Sequence, residues 1–289
     1  LGLVAPYLLL ARHPITMKRN ERLALLTSQR ALQAAVQARD YAAVRRWLAS
    51  GGDAKALWQG ERWEDTYPMV LAVEGNDLET VHLLAEAGMP LYHNALMAQK
   101  RYGAVEPLTM AALWRPGCHE AVMAALDLGA AIHSTTQDHM PVLRLTELHE
   151  RELDASSDAL FQRILDAGVV DVDAPWDDSL RILHIICMGN NRYVPELIRL
   201  SRDVNTPDAS ALRLTPLRTA VTSGSDLAVG ALLARGADPS TAVSTDKTLL
   251  DLALHMKKFR REKNLSGQVD RIVTMLETGR ALPEFTSLA

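Results

Sequence analysis

The sequence is poor in cysteine and in aromatic residues. Of 289 residues, two are cysteines, Cys118 and Cys187, and 5% are aromatic. Two thiols in separate parts of the chain cannot form a disulfide framework, so we expect free, buried cysteines, as is typical of a reducing compartment. Alanine and leucine are abundant instead, which favours closely packed helices. A cytoplasmic location fits this composition.

The sequence also lacks an excess of either charge. Charged residues make up 23% of the chain, and the formal net charge is −4. A protein that binds nucleic acid or an anionic membrane through electrostatics carries a basic surface, which this balance does not provide. Nucleic acid is therefore not an expected partner.

No apolar run in the sequence is long enough to cross a membrane. The longest candidate, Leu1 to Ala11, is followed by a basic stretch, and a spanning helix needs about 20 residues. Residues 1–29 then have two interpretations. They form a segment that caps the folded part, or they include the end of a longer membrane segment, with the basic flank on the cytoplasmic side.

Catalytic and metal-binding patterns are absent as well. His149-Glu150 has no second histidine at helical spacing, and no glycine-rich run forms a phosphate loop. His184 and Cys187 are three residues apart on one predicted helix, but no second pair completes a tetrahedral site. Neighbouring acids such as Asp171 and Asp173 are expected in solvated loops. We therefore expect no enzyme activity, no metal and no cofactor.

The most regular part of the sequence is the segment from Leu214 to Ser240. Thr215 is suited to cap a helix that begins at Pro216, where the missing N–H costs nothing. Gly224 and Gly236 follow two predicted helices, where a left-handed residue can end each helix. Three small apolar residues share one face of the first helix: Leu217, Ala220 and Val221. Such a unit cannot bury its own apolar face, so neighbouring units must stack on it.

This segment resembles an ankyrin repeat. The resemblance rests on Thr215-Pro216-Leu217, Leu232-Leu233 and Gly236-Ala237-Asp238. Taking Pro216 as a marker, more degenerate copies can be placed at intervals of 33 to 41 residues. The seven markers are Ala31, Pro68, Pro107, Pro141, Ile182, Pro216 and Leu249. The resemblance implies an all-α solenoid of stacked helix-turn-helix units with β-turn or hairpin fingers, made of about seven repeats over residues 30–280, with a tail at 281–289.

Several of these units are irregular. The first begins at Arg30, and the third is expected to open its first helix at Pro107. In the fourth unit, Glu147 to Asp158 lengthens the turn between helices. In the seventh, Met256 to Gln268 replaces the turn. His184 stands where the family carries a structural histidine.

The resemblance also indicates where a partner binds, because finger tips and exposed first-helix positions vary with the partner in that family. The corresponding residues here are Trp58, Trp63, Glu64, Thr66, Glu74, Trp114, Arg115, His139, Trp176, Asp177, Asp178 and Met188. Four of the five tryptophans fall in this set, and tryptophan is typical of interface hot spots. The alternative is that each tryptophan folds back onto a neighbouring repeat.

The expected function is non-catalytic recognition of another protein. Irregular repeats favour one dedicated partner, such as a toxin or effector held by an inhibitor or immunity protein. An adaptor or scaffold, or a secreted effector that binds host protein, remains open. An alternative from another class is an enzyme or small-molecule sensor with a pocket at Glu147 to Asp158 or Met256 to Gln268.

Overall fold

The computed structural model describes residues 19–52, 68–89, 91–93, 106–107, 117–130, 140–168, 170–176, 178–241, 247–260 and 266–286. They divide between two compact units, within Leu1–Pro141 and Val142–Ala289. Among the residues in these ranges, no helix combines the length and apolar character that a membrane span requires. The apolar segment 1–11 lies outside them, so both interpretations of it remain predictions.

The first unit consists of short antiparallel helix pairs and one two-stranded ribbon. Its elements are α1 (Arg19–Gln37), α2 (Tyr41–Ala49), α3 (Pro68–Glu74), α4 (Leu78–Glu86), β1 (Tyr92–His93), β2 (Glu106–Pro107) and α5 (His119–Asp127). The strands pair antiparallel, with Tyr92 opposite Pro107 and His93 opposite Glu106. This ribbon agrees with the β-hairpin character that the resemblance implies for the fingers.

The second unit repeats the helix pair more regularly. Its elements are α6 (Met140–Glu147), whose first two residues close the preceding unit, a 3-10 turn (Glu150–Glu152), α7 (Ala155–Asp166), α8 (Ile182–Ile186), α9 (Tyr193–Arg199), α10 (Pro216–Ser223), α11 (Asp226–Ala234), α12 (Leu249–Arg260), α13 (Ser266–Thr278) and α14 (Pro283–Thr286). Four of the sequence markers, Pro68, Ile182, Pro216 and Leu249, are the first residues of helices, and Pro141 is the second residue of α6. These results confirm the register of five repeats.

Local chemistry sets the ends of these helices as the sequence predicted. The Thr215 side chain accepts a hydrogen bond from the N–H of Arg218, and Pro216 occupies the first helical position. Gly224 ends α10 with a φ of 81°, and Gly236 follows α11 with a φ of 80°. A side chain at either position would be strained by this left-handed backbone.

Four predicted boundaries were wrong. Helix α1 begins at Arg19 instead of Arg30, because no proline or glycine interrupts the intervening residues. Pro107 lies in β2 instead of opening a helix, at a strand edge where its missing N–H is tolerated. Helix α7 starts inside the expected long turn, where Asp154 caps it, and α12 continues through Arg260 into the stretch expected to be a turn.

Side-chain to backbone hydrogen bonds join consecutive repeats. In the first unit, the Asn76 side chain accepts from the N–H of Ala121 at 2.9 Å. In the second, Asn191 donates to the carbonyl of Leu145 at 2.7 Å, and the Ser225 hydroxyl donates to the carbonyl of Gly189 at 2.6 Å. Such bonds fix the stacking geometry, which apolar packing alone leaves loosely specified.

Candidate functional site

Eight of the twelve predicted partner-binding residues lie outside the described residues. They are Trp58, Trp63, Glu64, Thr66, Trp114, Arg115, His139 and Asp177. The other four are described. Glu74 is half-buried at the end of α3. In the fifth repeat, Trp176 and Asp178 precede α8 and Met188 follows it. The fifth repeat and its neighbours therefore offer the part of the predicted surface that can be described.

A hairpin formed by residues 172–183, here called finger 5, leads into α8. The N–H of Trp176 donates to the carbonyl of Leu180 at 2.8 Å, and the N–H of Leu183 donates to the carbonyl of Val172 at 2.8 Å. Trp176 is half-buried along one strand, and Asp178 is exposed near the tip. The hairpin thus holds Asp178 out in solvent, as the resemblance predicted.

The next connection, residues 204–214, is here called finger 6 and leads into α10. Asp208 closes it: one carboxylate oxygen accepts from the Ser210 hydroxyl at 2.7 Å and from the N–H of Leu214 at 2.9 Å. A backbone bond of 2.9 Å from the N–H of Ala209 to the carbonyl of Ser179 joins finger 6 to finger 5. The two fingers therefore lie side by side and are held together.

Two large apolar side chains are exposed on this part of the molecule. Leu212, in finger 6, is 67% exposed, and Met188, directly after α8, is 51% exposed. The sequence reasoning included Met188 and missed Leu212. A signal was available, because Leu212 is an isolated large apolar residue in a short polar connection, a position where burial is not expected.

A shallow cavity of about 140 Å³ lies at the base of finger 5. Its polar lining is already bonded: Asp173 accepts from the Ser201 hydroxyl at 2.6 Å and from Arg202 Nε at 2.9 Å, and Asp203 accepts from the Thr206 hydroxyl at 2.6 Å. Partial burial opposes ionisation of Asp173, but these hydrogen bonds outweigh it, so its pKa is lowered. The expectation that Asp173 is a solvated loop acid was therefore wrong, because its side chain is only 16% exposed.

The charged insertion of the fourth repeat, Glu147 to Asp158, is bonded to the fifth repeat. Arg192 bonds Glu150 at 2.8 Å and Asp158 at 2.9 Å, and the Tyr193 hydroxyl donates to Asp158 at 2.8 Å. The Tyr193 ring stacks on Phe161 with centroids 4.2 Å apart. Burial and the bond to Asp158 raise the pKa of Tyr193, which stays a hydrogen-bond donor. The insertion is thus packed against the fifth repeat.

His184 and Cys187 are both buried in the fifth repeat. Nε2 of His184 is 2.8 Å from the carbonyl oxygen of Leu214, so the ring joins the fifth repeat to the sixth. Burial raises the pKa of the Cys187 thiol, which disfavours the thiolate that binds metals. Cys118 and Cys187 are both free and buried, as predicted. Among the residues that the structure describes, no group of three His, Cys, Asp or Glu side chains could hold a metal ion.

Comparisons with known proteins agree with this architecture. No family model and no curated protein sequence matches the chain. Among solved structures, the chain is similar to the crystal structure of the human ASB11 ankyrin repeat domain, with a TM-score of 0.56 at 18% identity, over 87% of this chain and 98% of that one. Together with the repeat register around Thr215, this similarity shows that the chain has the all-α ankyrin-repeat fold.

Proposed function

We propose that this chain binds another protein through fingers 5 and 6 and through Met188, which follows α8. The observation that carries the proposal is the exposure of the large apolar side chains Leu212 and Met188, 67% and 51%. When a partner covers large apolar side chains that rigid elements hold in water, the free energy of the complex is lowered. Here the hairpin bonds of finger 5 and the Asp208 bonds of finger 6 provide that rigidity.

The neighbouring side chains suit the rim of an interface. Asp178 is exposed beside the tip of finger 5, and Arg213 is exposed next to Leu212. Trp176, half-buried between them and the base of the finger, offers an aromatic edge. Apolar anchors surrounded by polar residues are the usual arrangement of protein interfaces.

The experiment is affinity purification of the chain from its source cell, followed by mass spectrometry. The test variant is Met188→Ser with Leu212→Ser, and the matched control is Leu200→Ser. Leu200 is 46% exposed and follows α9, outside the residues that form fingers 5 and 6. A stoichiometric partner that the control retains and the double variant loses supports the proposal.

All three substitutions are at exposed positions, so each should change the free energy of unfolding by no more than about 0.5 kcal/mol. Thermal unfolding checks that condition. Loss of the partner in both proteins, or in neither, would place binding elsewhere on the chain.

Within this function we favour one dedicated partner that the chain inhibits, such as a toxin or effector. The irregular fourth repeat supports a dedicated partner, because its 3-10 turn and the bonds of Arg192 to Glu150 and Asp158 give this surface a shape that regular repeats lack. Adding the purified chain to its partner at equal concentration decides the point. An inhibitor abolishes the partner's activity, whereas an adaptor or scaffold leaves it unchanged.

A further inference from the structure

Two buried polar side chains hold the end of finger 6. His184 on α8 has no exposed surface, and Asp208 in finger 6 is 4% exposed. Both bind the backbone of Leu214: its carbonyl lies 2.8 Å from His184 Nε2, and its N–H donates to Asp208 at 2.9 Å. Leu214 directly precedes Thr215, the cap of α10. The His184 bond therefore ties finger 6 to the fifth repeat, together with the backbone bond between Ala209 and Ser179, and Asp208 keeps the end of the finger closed.

The bond to Leu214 fixes the tautomer of the neutral His184 ring. A carbonyl oxygen only accepts, so Nε2 carries the proton and Nδ1 is bare in the neutral ring. Nδ1 of His184 and Oδ2 of Asp208 are both buried, and neither atom has a hydrogen-bond partner within the described ranges. A second proton on the ring would therefore bury a cation whose new N–H has no acceptor in the present geometry.

The charges around the ring are few. Burial acts most strongly against the imidazolium, the bond to Leu214 and the charge of Asp208 favour it, and Arg181 opposes it; burial outweighs the favourable contributions, so the pKa of His184 is lowered. The helices that pack on α8 carry Tyr193, Glu196 and Arg199 on α9 and Arg218 on α10. Tyr193 is bonded to Asp158, and Glu196 and Arg199 are exposed. The environment of the ring is thus set by its burial, Asp208 and Arg181.

We propose that finger 6 is an acid-sensitive element, in which protonation of His184 releases the finger from the fifth repeat. The released state exposes the ring, which then binds a proton with the ordinary pKa of about 6.5. The attached state is therefore fully favoured above about pH 6.5 and loses population as the pH falls below it, by at most about a factor of ten for each pH unit. Release displaces Leu212, so acidification weakens partner binding; this consequence rests on the proposed function.

The test is amide hydrogen exchange of the chain alone, read by mass spectrometry at pH 7.5 and pH 5.5 with exposure times corrected for intrinsic exchange. The control variant is His184→Gln, whose amide nitrogen can donate to Leu214 but does not titrate. We expect protection of residues 204–214 in the wild type to fall at the lower pH, by up to about tenfold. His184→Gln should keep its protection, and α11 should keep its protection in both proteins. Equal loss in His184→Gln, or no loss in the wild type, would overturn the proposal.

A second measurement covers the case in which His184→Gln does not fold. The titration of His184 in the wild type is followed by NMR together with exchange of the Leu214 amide. The proposal requires that the ring takes up its proton only as the Leu214 amide loses protection. A ring that protonates near its ordinary pKa while Leu214 stays protected would contradict it. Neither measurement needs a partner, so the outcome is independent of whether fingers 5 and 6 bind protein.

Discussion

Asn191 links the fourth repeat to the fifth through the backbone at the end of α6. It has no exposed surface, and its amide nitrogen donates to the carbonyls of Leu145 at 2.7 Å and Leu148 at 3.0 Å. Its amide oxygen accepts from the N–H of Tyr193 at 3.1 Å. The two carbonyls lie at the end of α6, where the helix supplies no further N–H.

We predict that Asn191→Ala lowers the free energy of unfolding by about 2 kcal/mol, because it leaves buried carbonyls without a donor. The matched control is Asn190→Ala. Asn190 is half-buried and accepts longer bonds, from the Ser225 hydroxyl at 3.0 Å and the N–H of Leu227 at 3.3 Å. Urea denaturation of the two variants measures the difference. An equal or larger loss in Asn190→Ala would show that the carbonyls of α6 do not need Asn191.

Residues with local roles could be predicted from the sequence, and residues with distant partners could not. Thr215, Pro216 and Gly224 act within one helix, and the structure confirms each. Asn191 binds Leu145, 46 positions away, and Arg192 binds Glu150, 42 positions away. A single sequence carries no signal that pairs residues so far apart.

Among the elements, α11 and α14 show how the end of the second unit is packed. Helix α11 is buried along most of its length and contacts α9, α10, α13 and α14. The Phe285 side chain of α14 is 4% exposed and lies against Gly230 in α11. A methyl group at position 230 would overlap the ring of Phe285. The glycine is therefore needed for the close approach of α14.

This contact predicts that the effect of Gly230→Ala on stability changes sign when Phe285 is removed. Gly230→Ala should destabilise the wild type by about 1 to 3 kcal/mol, because the core around Phe285 becomes overpacked. Phe285→Ala alone should cost about 3 kcal/mol through the cavity it leaves. In that background Gly230→Ala should instead be neutral or stabilising by up to about 1 kcal/mol, from the helix propensity of alanine.

A double-mutant cycle by chemical denaturation measures these effects. Gly267→Ala in α13 is a suitable control, because no atom lies within 4 Å of a Cβ at that position. The effect of Gly267→Ala on stability should be the same whether or not Phe285 is present. A Gly230→Ala effect of the same sign in both backgrounds would contradict the contact between α11 and α14.

Element boundaries followed the sequence where a cap or a proline marked them. Pro68, Pro216 and Leu249 begin helices as predicted, and Thr248 caps the helix that begins at Leu249. The boundaries failed where no breaker was present, so that α12 continues to Arg260, and where tertiary pairing overrode the pattern, so that Pro107 lies opposite Tyr92 in a ribbon. Strand pairing depends on the partner strand, which a repeat alignment does not contain.

At the scale of the whole molecule, the fold could be predicted, and the residues of the proposed binding surface only in part. The resemblance directed attention to finger tips and first helices, where Trp176, Asp178 and Met188 are found. It did not identify Leu212, whose exposure depends on how Asp208 closes finger 6. Trp58, Trp63 and Trp114 lie outside the described residues, and their part in binding remains a prediction.

The central claim is that a protein partner covers fingers 5 and 6, and site-specific photocrosslinking in the source cell tests it most directly. A photoreactive side chain would replace Leu212, Met188 or Leu200 in separate proteins, because all three positions are exposed and should tolerate it. We predict one crosslinked partner, captured from positions 212 and 188 and not from position 200. Crosslinks from position 200 alone, or none from positions 212 and 188 in cells where a partner co-purifies, would contradict the claim.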